Sequence, residues 1–313
     1  MSKTYCIVGA GGVGGSVAAY MAKAGCDVTL IARGEHLEKI KENGLTMETP
    51  HLGTFTVSQV KAVCESEYAE ACEKSAEAPD VIFVCVKAYS LDEITPFLKK
   101  CADAHTIVIP LLNLYGTGSR LQKELPNSLV TDGCIYIAAE KTAPGCLQQK
   151  GSIFRIVYGV REQEDLCKEL FEILTDLREA GIDARLSDNI ARDAFQKYSY
   201  VAPMAACGLY FDAKAEVFQQ AGDEREFLSD CMAEVSALAD AMEIPFLVDI
   251  VKTNLEILDA LSPEASTSMQ RDIWAGKPSE IDGLVFEPIR MARKYGVEMP
   301  KYEMIARKFG FEE

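Results

Sequence analysis

A chain of 313 residues with 48 % hydrophobic and 26 % charged side chains has the composition of a soluble protein, and its length favours two domains. Its 48 acidic against 32 basic residues leave a net charge of −16, which argues against nucleic acid or an anionic membrane as a partner. Eleven cysteines with no C-x-x-C pair read as free thiols rather than a disulfide framework, and three scattered histidines (His36, His51, His105) offer neither a metal site nor a histidine acid/base.

The first thirty residues carry the strongest local signal. Tyr5 to Val8 suits a buried strand, and it breaks into Gly9-Ala10-Gly11-Gly12-Val13-Gly14. Ser16 to Ala24 then has helical spacing, Gly25-Cys26-Asp27 is a turn, and Val28 to Ala32 is a second strand. Strand, glycine turn, helix and strand in that order give the context in which G-x-G-x-x-G marks a dinucleotide site. Gly9 allows the tight turn, Gly11 lets the backbone approach a pyrophosphate, and Gly14 allows close helix–strand packing. The amides that open the helix, those of Gly12 and Val13 among them, would meet the phosphates. The second strand ends in Arg33-Gly34, with no acid until Glu35. A guanidinium there fits a 2′-phosphate better than a bare ribose, so the expected cofactor is NADP. His36 and Lys39 could add positive charge nearby or be plain surface.

Further along, Leu37 to Glu42 is a short helix and Leu45 to Gln59 alternates like strands. Glu65 to Glu77 is helix-forming, and Val81 to Val86 is a buried strand with Lys87 at its end. Leu91 to Cys101 is a helix, and Thr106 to Leu112 is a strand followed by Asn113. Leu129 to Ala139 and Gly145 to Tyr158 read as strands, Asp165 to Gly181 as a helix, and Ile182 to Leu186 as a last strand. None of the apolar runs approaches a membrane span, and no signal sequence precedes Tyr5, which points to a cytoplasmic protein.

From Ser187 the texture turns helical. A helix capped by Ser187-Asp188-Asn189 runs through Tyr200 and, bent at Pro203, to about Ala206. Others are expected at Asp223 to Met242, Pro245 to Leu261, Ser268 to Ala275, Glu280 to Tyr295 and Lys301 to Phe309. The fold class is therefore α/β: a Rossmann-type doubly wound parallel sheet over residues 1–185, followed by an all-helical domain over 186–313.

Lys87 and Asn113 fall at the carboxyl ends of strands, where doubly wound sheets bind ligands, though each is also an ordinary surface or turn residue. Reducing a ketone leaves charge on its oxygen, so a proton donor is required. With no suitable histidine, Lys197 is the natural candidate, in a helix otherwise rich in apolar and aromatic side chains; its alternative is a snorkelling surface lysine.

The succession Gly9-x-Gly11-x-x-Gly14, Arg33, Lys87, Asn113, Lys197 and Ser268-Met269-Gln270-Arg271-Asp272-Ile273, with Glu280-Ile281-Asp282 twelve residues after the serine, resembles the ketopantoate reductase (2-dehydropantoate 2-reductase) family over nearly the whole chain. The resemblance implies an oxidoreductase of pantothenate biosynthesis that uses NADPH. It also implies Lys197 as general acid, Glu280 as the carboxylate that orients or contacts substrate, and Ser268 as a donor to the substrate carboxylate. Lys87 and Asn113 would bind cofactor and shape the substrate site. Two departures stand out: Val201 and Ala205 occupy positions where the family usually has asparagines, and Leu114 replaces the usual glycine after Asn113. Three functions fit: reduction of ketopantoate, reduction of a more apolar keto or imino acid, and a non-catalytic NADP-binding sensor. The partner is a small keto acid, and a homodimer is allowed by the sequence.

Overall fold

The computed structural model describes residues 3–75 and 77–311. The chain divides into two compact units, Met1–Leu112 with Gly116–Ile190, and Asn113–Tyr115 with Ala191–Glu313.

The first unit begins with β1 (Thr4–Val8), α1 (Gly12–Lys23), β2 (Asp27–Ile31) and α2 (Gly34–Asn43). It continues through β3 (Leu45–Thr49), β4 (Gly53–Val57), β5 (Lys61–Val63), α3 (Glu65–Ser75), β6 (Val81–Val84) and α4 (Leu91–Cys101). Then come β7 (Ile107–Pro110), α5 (Thr117–Glu124), β8 (Leu129–Val130), β9 (Asp132–Ala143), β10 (Cys146–Gly159), α6 (Lys168–Glu179) and β11 (Asp183–Leu186). Residue 76, inside the helix expected to reach Glu77, lies outside the described residues.

Six strands form a sheet in the order β5-β2-β1-β6-β7-β8, and every pairing in it is parallel. That is the dinucleotide-binding order, with the reversal of direction between β1 and β6. Alternation along β1 supplies both faces: Tyr5 and Ile7 enter one core, Cys6 and Val8 the other. The first core holds Val17 and Met21 of α1, and the second holds Leu91, Ile94 and Leu98 of α4. Burial on both faces is why these strands read as unbroken apolar runs.

A second sheet, order β11-β10-β3-β4 with β9 on β10, covers α1 from its other side; Leu147, Ile156 and Tyr158 share the core of Val17. The segment from Leu45 thus leaves the parallel sheet to pair with residues a hundred positions later. α5 escaped the sequence reading because it carries no apolar stripe. It is held instead by tertiary contact: the Gly118 N–H donates to Asp132 Oδ1 at 2.9 Å, and a Cβ on Gly118 would lie 2.2 Å from the Thr131 carbonyl oxygen.

The second unit is helical: α7 (Ile190–Tyr210, entering the unit at Ala191), α8 (Ala215–Gln219), α9 (Asp223–Ala241), α10 (Ile250–Asp259), α11 (Ser268–Trp274), α12 (Glu287–Tyr295) and α13 (Pro300–Lys308). Its core joins Phe195 and Cys207 of α7 to Met232 and Val235 of α9, Ile289 of α12 and Tyr302 and Ile305 of α13. The expected end of α7 near Ala206 is corrected: the helix continues through Pro203 to Tyr210. Proline lacks the N–H that would bond the carbonyl four residues back. That carbonyl, of Ser199, instead accepts from Asn254 Nδ2 of α10 at 3.1 Å. The helix expected from Pro245 starts only at Ile250, behind an Asp249 cap that accepts from the Lys252 N–H at 3.0 Å. Ahead of α12, Asp282–Phe286 forms a π turn rather than α-helix.

Among the described residues no helix is long and apolar enough to cross a membrane, and no group of three His, Cys, Asp or Glu side chains could hold a metal ion. All eleven cysteines are free thiols.

Candidate active site

In the first unit the glycine turn joins β1 to α1 directly against the end of β6. Gly9 has φ +107°, and a Cβ there would lie 2.9 Å from the Cys85 carbonyl oxygen. A Cβ on Gly14 would lie 2.0 Å from the Gly9 carbonyl oxygen and 2.8 Å from the Cys85 Cβ, so the helix can sit this close to the strands only with glycine there. Gly12 is equally constrained: its Cβ would lie 2.3 Å from the Ala139 carbonyl oxygen of β9.

Gly11 differs from all three. Its φ is −79°, which any residue adopts, and nothing lies within 4 Å of where its Cβ would be. Gly11 is also the N-cap of α1 and makes no side-chain cap, so no side chain of the turn satisfies the first amides, Gly12 and Val13 included. A glycine that the protein's own packing does not require, at an uncapped helix start, fits a cofactor pyrophosphate resting on the backbone.

Arg33 stands at the end of β2 as the N-cap residue of α2; it is exposed and makes no ion pair among the described residues. Of the two neighbours that could add charge or be plain surface, Lys39 fits the surface alternative and His36 fits neither. Lys39 pairs with Glu42 at 2.8 Å. His36 is buried, and its Nδ1 accepts from the Gly145 N–H at 2.8 Å. Burial and the nearby Lys141 ammonium hold its pKa below 6.5, with the Ala10 backbone opposing, so the imidazole is neutral and supplies no charge. Lys87 is half-buried three residues past β6, in extended conformation before a 3₁₀ turn at Ala88–Ser90.

In the second unit Lys197 is 8 % exposed, and its Nζ donates to Asn113 Oδ1 at 2.7 Å. Two residues 84 positions apart are thus brought together, the amine without bulk water around it and one of its N–H groups committed to a carboxamide. The strip Asn113–Tyr115 is anchored on both sides. Leu114 fills the space over Gly283, where a Cβ would lie 2.4 Å from its Cδ2, and the Tyr115 ring packs edge-on against Phe195 with centroids 4.7 Å apart. Tyr198, the neighbour of Lys197, donates its hydroxyl to the Gly283 carbonyl at 2.7 Å. Burial, with the Glu287 and Asp282 carboxylates adding to it, raises its pKa far above the usual phenol value, so it remains a donor.

Glu280 is 3 % exposed just before the π turn, and its carbonyl accepts from the Leu284 N–H at 3.0 Å. Ser268 opens α11, behind a capping box in which Thr267 and Gln270 satisfy each other's backbone. Val201, one turn beyond Lys197, is half-buried, and Ala205 is fully buried in the helical core. Tyr198, Gly283 and the Leu114 anchor were missed by sequence reasoning. Only the glycine inside an otherwise helical pattern hinted at the close approach.

Residues 5–163 match the family model described as ketopantoate reductase PanE/ApbA, and residues 189–311 match the model of its C-terminal region. A curated relative, the 2-dehydropantoate 2-reductase of a Nostoc species, is 23 % identical over 99 % of this chain and 95 % of its own. Among solved structures, the 2-dehydropantoate 2-reductase of Methylococcus capsulatus superposes with TM-score 0.85 at 23 % identity, over 98 % of this chain and 95 % of its own. A D-mandelate dehydrogenase with NADH and anilino(oxo)acetate superposes with TM-score 0.84 at 22 % identity, over 97 % and 96 %. At such identities the structural likeness establishes the shared fold.

Proposed function

The chain belongs to the ketopantoate reductase family, and on that premise we propose that it uses NADPH to reduce a 2-oxo acid, ketopantoate in the first instance, to the 2-hydroxy acid. The observation that carries the reading is Lys197: a buried amine held by Asn113 in the helical unit. Gly9, Gly11, Gly12, Val13 and Gly14 would hold NADPH, with Arg33 at its 2′-phosphate, and the bound cofactor would be the source of hydride for the keto carbon. Lys197 gives a proton to the oxygen as charge develops there, and Asn113 keeps the ammonium oriented. Ser268 donates to the substrate carboxylate and Glu280 orients the substrate. Lys87, past the end of β6, serves cofactor and substrate by its charge, which matters because both are anions and the chain carries −16.

A second reading keeps the chemistry and changes the substrate. Val201 and Ala205 offer no amide donors, so a 2-oxo acid with an apolar or aromatic side chain loses less on binding than a hydroxylated one. The D-mandelate dehydrogenase likeness supports it.

The test follows NADPH oxidation across a panel from ketopantoate to phenylglyoxylate, with Lys197→Ala alongside. The substrate of highest kcat/KM decides between the two readings. Lys197→Ala should lower kcat by roughly 10²–10⁴ while NADPH binding holds. Silence over the whole panel, or unchanged turnover in the variant, would remove the reductase reading.

A further inference from the structure

Three contacts fix the far end of β9 beside the coenzyme turn. The Ala139 carbonyl rides on Gly12, the first residue of α1. Two residues on, Lys141 stands opposite Leu147 in the β9–β10 register, and residues directly opposite in an antiparallel pair share a face. Leu147 points its Cδ1 to within 2.4 Å of where a Gly15 Cβ would be, so that shared face is the one lying on α1. Beyond the hairpin turn, the Gly145 N–H bond to His36 Nδ1 pins the same hairpin to the first turn of α2, the helix that Arg33 begins.

Lys141 is exposed there and makes no ion pair among the described residues, whereas its neighbour Glu140 is engaged by Lys150 at 2.6 Å. Arg33 shares that state. The His36 imidazole, which stands in the helix that Arg33 begins and accepts from the hairpin, is held neutral by burial and then by the Lys141 charge. Two cations without carboxylate partners thus stand on elements joined through the His36–Gly145 bond, in a chain of net charge −16. A compact dianion is what such a pair attracts.

We propose that Lys141 is the second cation of a 2′-phosphate site, reaching the adenosine phosphate of NADPH from the β9–β10 hairpin while Arg33 holds it from the end of β2. The inference rests on the NADPH reading above and adds to it a specificity residue on a different element.

The experiment titrates the full chain with NADPH and NADH by fluorescence, and with 2′,5′-ADP and AMP by calorimetry, for the parent, Lys141→Met and Arg33→Met. Lys141→Met should weaken NADPH and 2′,5′-ADP about fivefold, less at high salt, and leave NADH and AMP unmoved. Equal losses for both members of each pair, or no loss, would overturn the proposal. Arg33→Met keeps the two readings apart. If it alone discriminates against the 2′-phosphate, Lys141 is struck out and the NADPH reading stands; if neither variant discriminates, both fall.

Discussion

Lys197 reaches the carboxamide of Asn113 at 2.7 Å, a bond between the third turn of α7 and the three-residue strip that joins the helical unit from far upstream. Asn113 thereby orients the amine without being able to exchange a proton with it. Asn113→Ala should cut kcat by about tenfold to a hundredfold, through misplacement of the donor. Asn113→Asp would instead set a carboxylate against the ammonium and bias it to the charged form, shifting the alkaline limb of the kcat profile upward. A kcat–pH profile of the three proteins checks this; identical profiles for parent and Asn113→Asp would mean that the bond is absent in solution.

Leu114 and Gly283 form a matched pair, a large side chain lying where the other residue lacks one. Gly283→Ala puts a methyl into the space of Leu114 and should cost about 1–3 kcal/mol. The double variant Leu114→Gly with Gly283→Ala should recover part of that loss, because the clash is gone. Thermal denaturation of the four proteins as a double-mutant cycle gives the coupling, and strict additivity would show that the two side chains do not meet.

Asn254 supplies the bond that Pro203 cannot. Asn254→Ala leaves the Ser199 carbonyl buried without its donor and should destabilise the protein by about 1–3 kcal/mol. The compensating change is Pro203→Ala, which restores an N–H to the same carbonyl. Urea denaturation should therefore find Asn254→Ala less harmful in the Pro203→Ala background than in the parent.

The buried His36 imidazole makes stability depend on pH. Burial and the Lys141 charge lower its folded pKa from the ordinary 6.5, so as pH falls the unfolded chain takes up the proton first. The stability that the neutral ring contributes is complete above about 6.5 and is lost as pH drops below it, down to the depressed folded pKa. Denaturant midpoints at pH 7.5 and 5.5 should fall further for the parent than for His36→Gln. Parallel falls would show that the ring is not held neutral.

Local chain physics already determined the opening strand, turn and helix of this protein. A buried strand, a glycine turn and a helix within thirty residues leave few conformations to choose from, and the close-packed Gly9, Gly12 and Gly14 lie inside that stretch; Leu91–Cys101 is a helix in sequence and structure alike. Where contacts span long separations, only the tertiary structure decided. The pairing of β3 with β10, the α5 helix without an apolar stripe, and the run of α7 through Pro203 each depend on a partner far away in the chain. The same holds for the amine itself: its sequence neighbours allow Lys197 to be either surface or interior, and burial at 8 % with Asn113 as partner is settled by packing from outside α7. Periodicity reports which face of an element is apolar, but not which polar group waits on the other side.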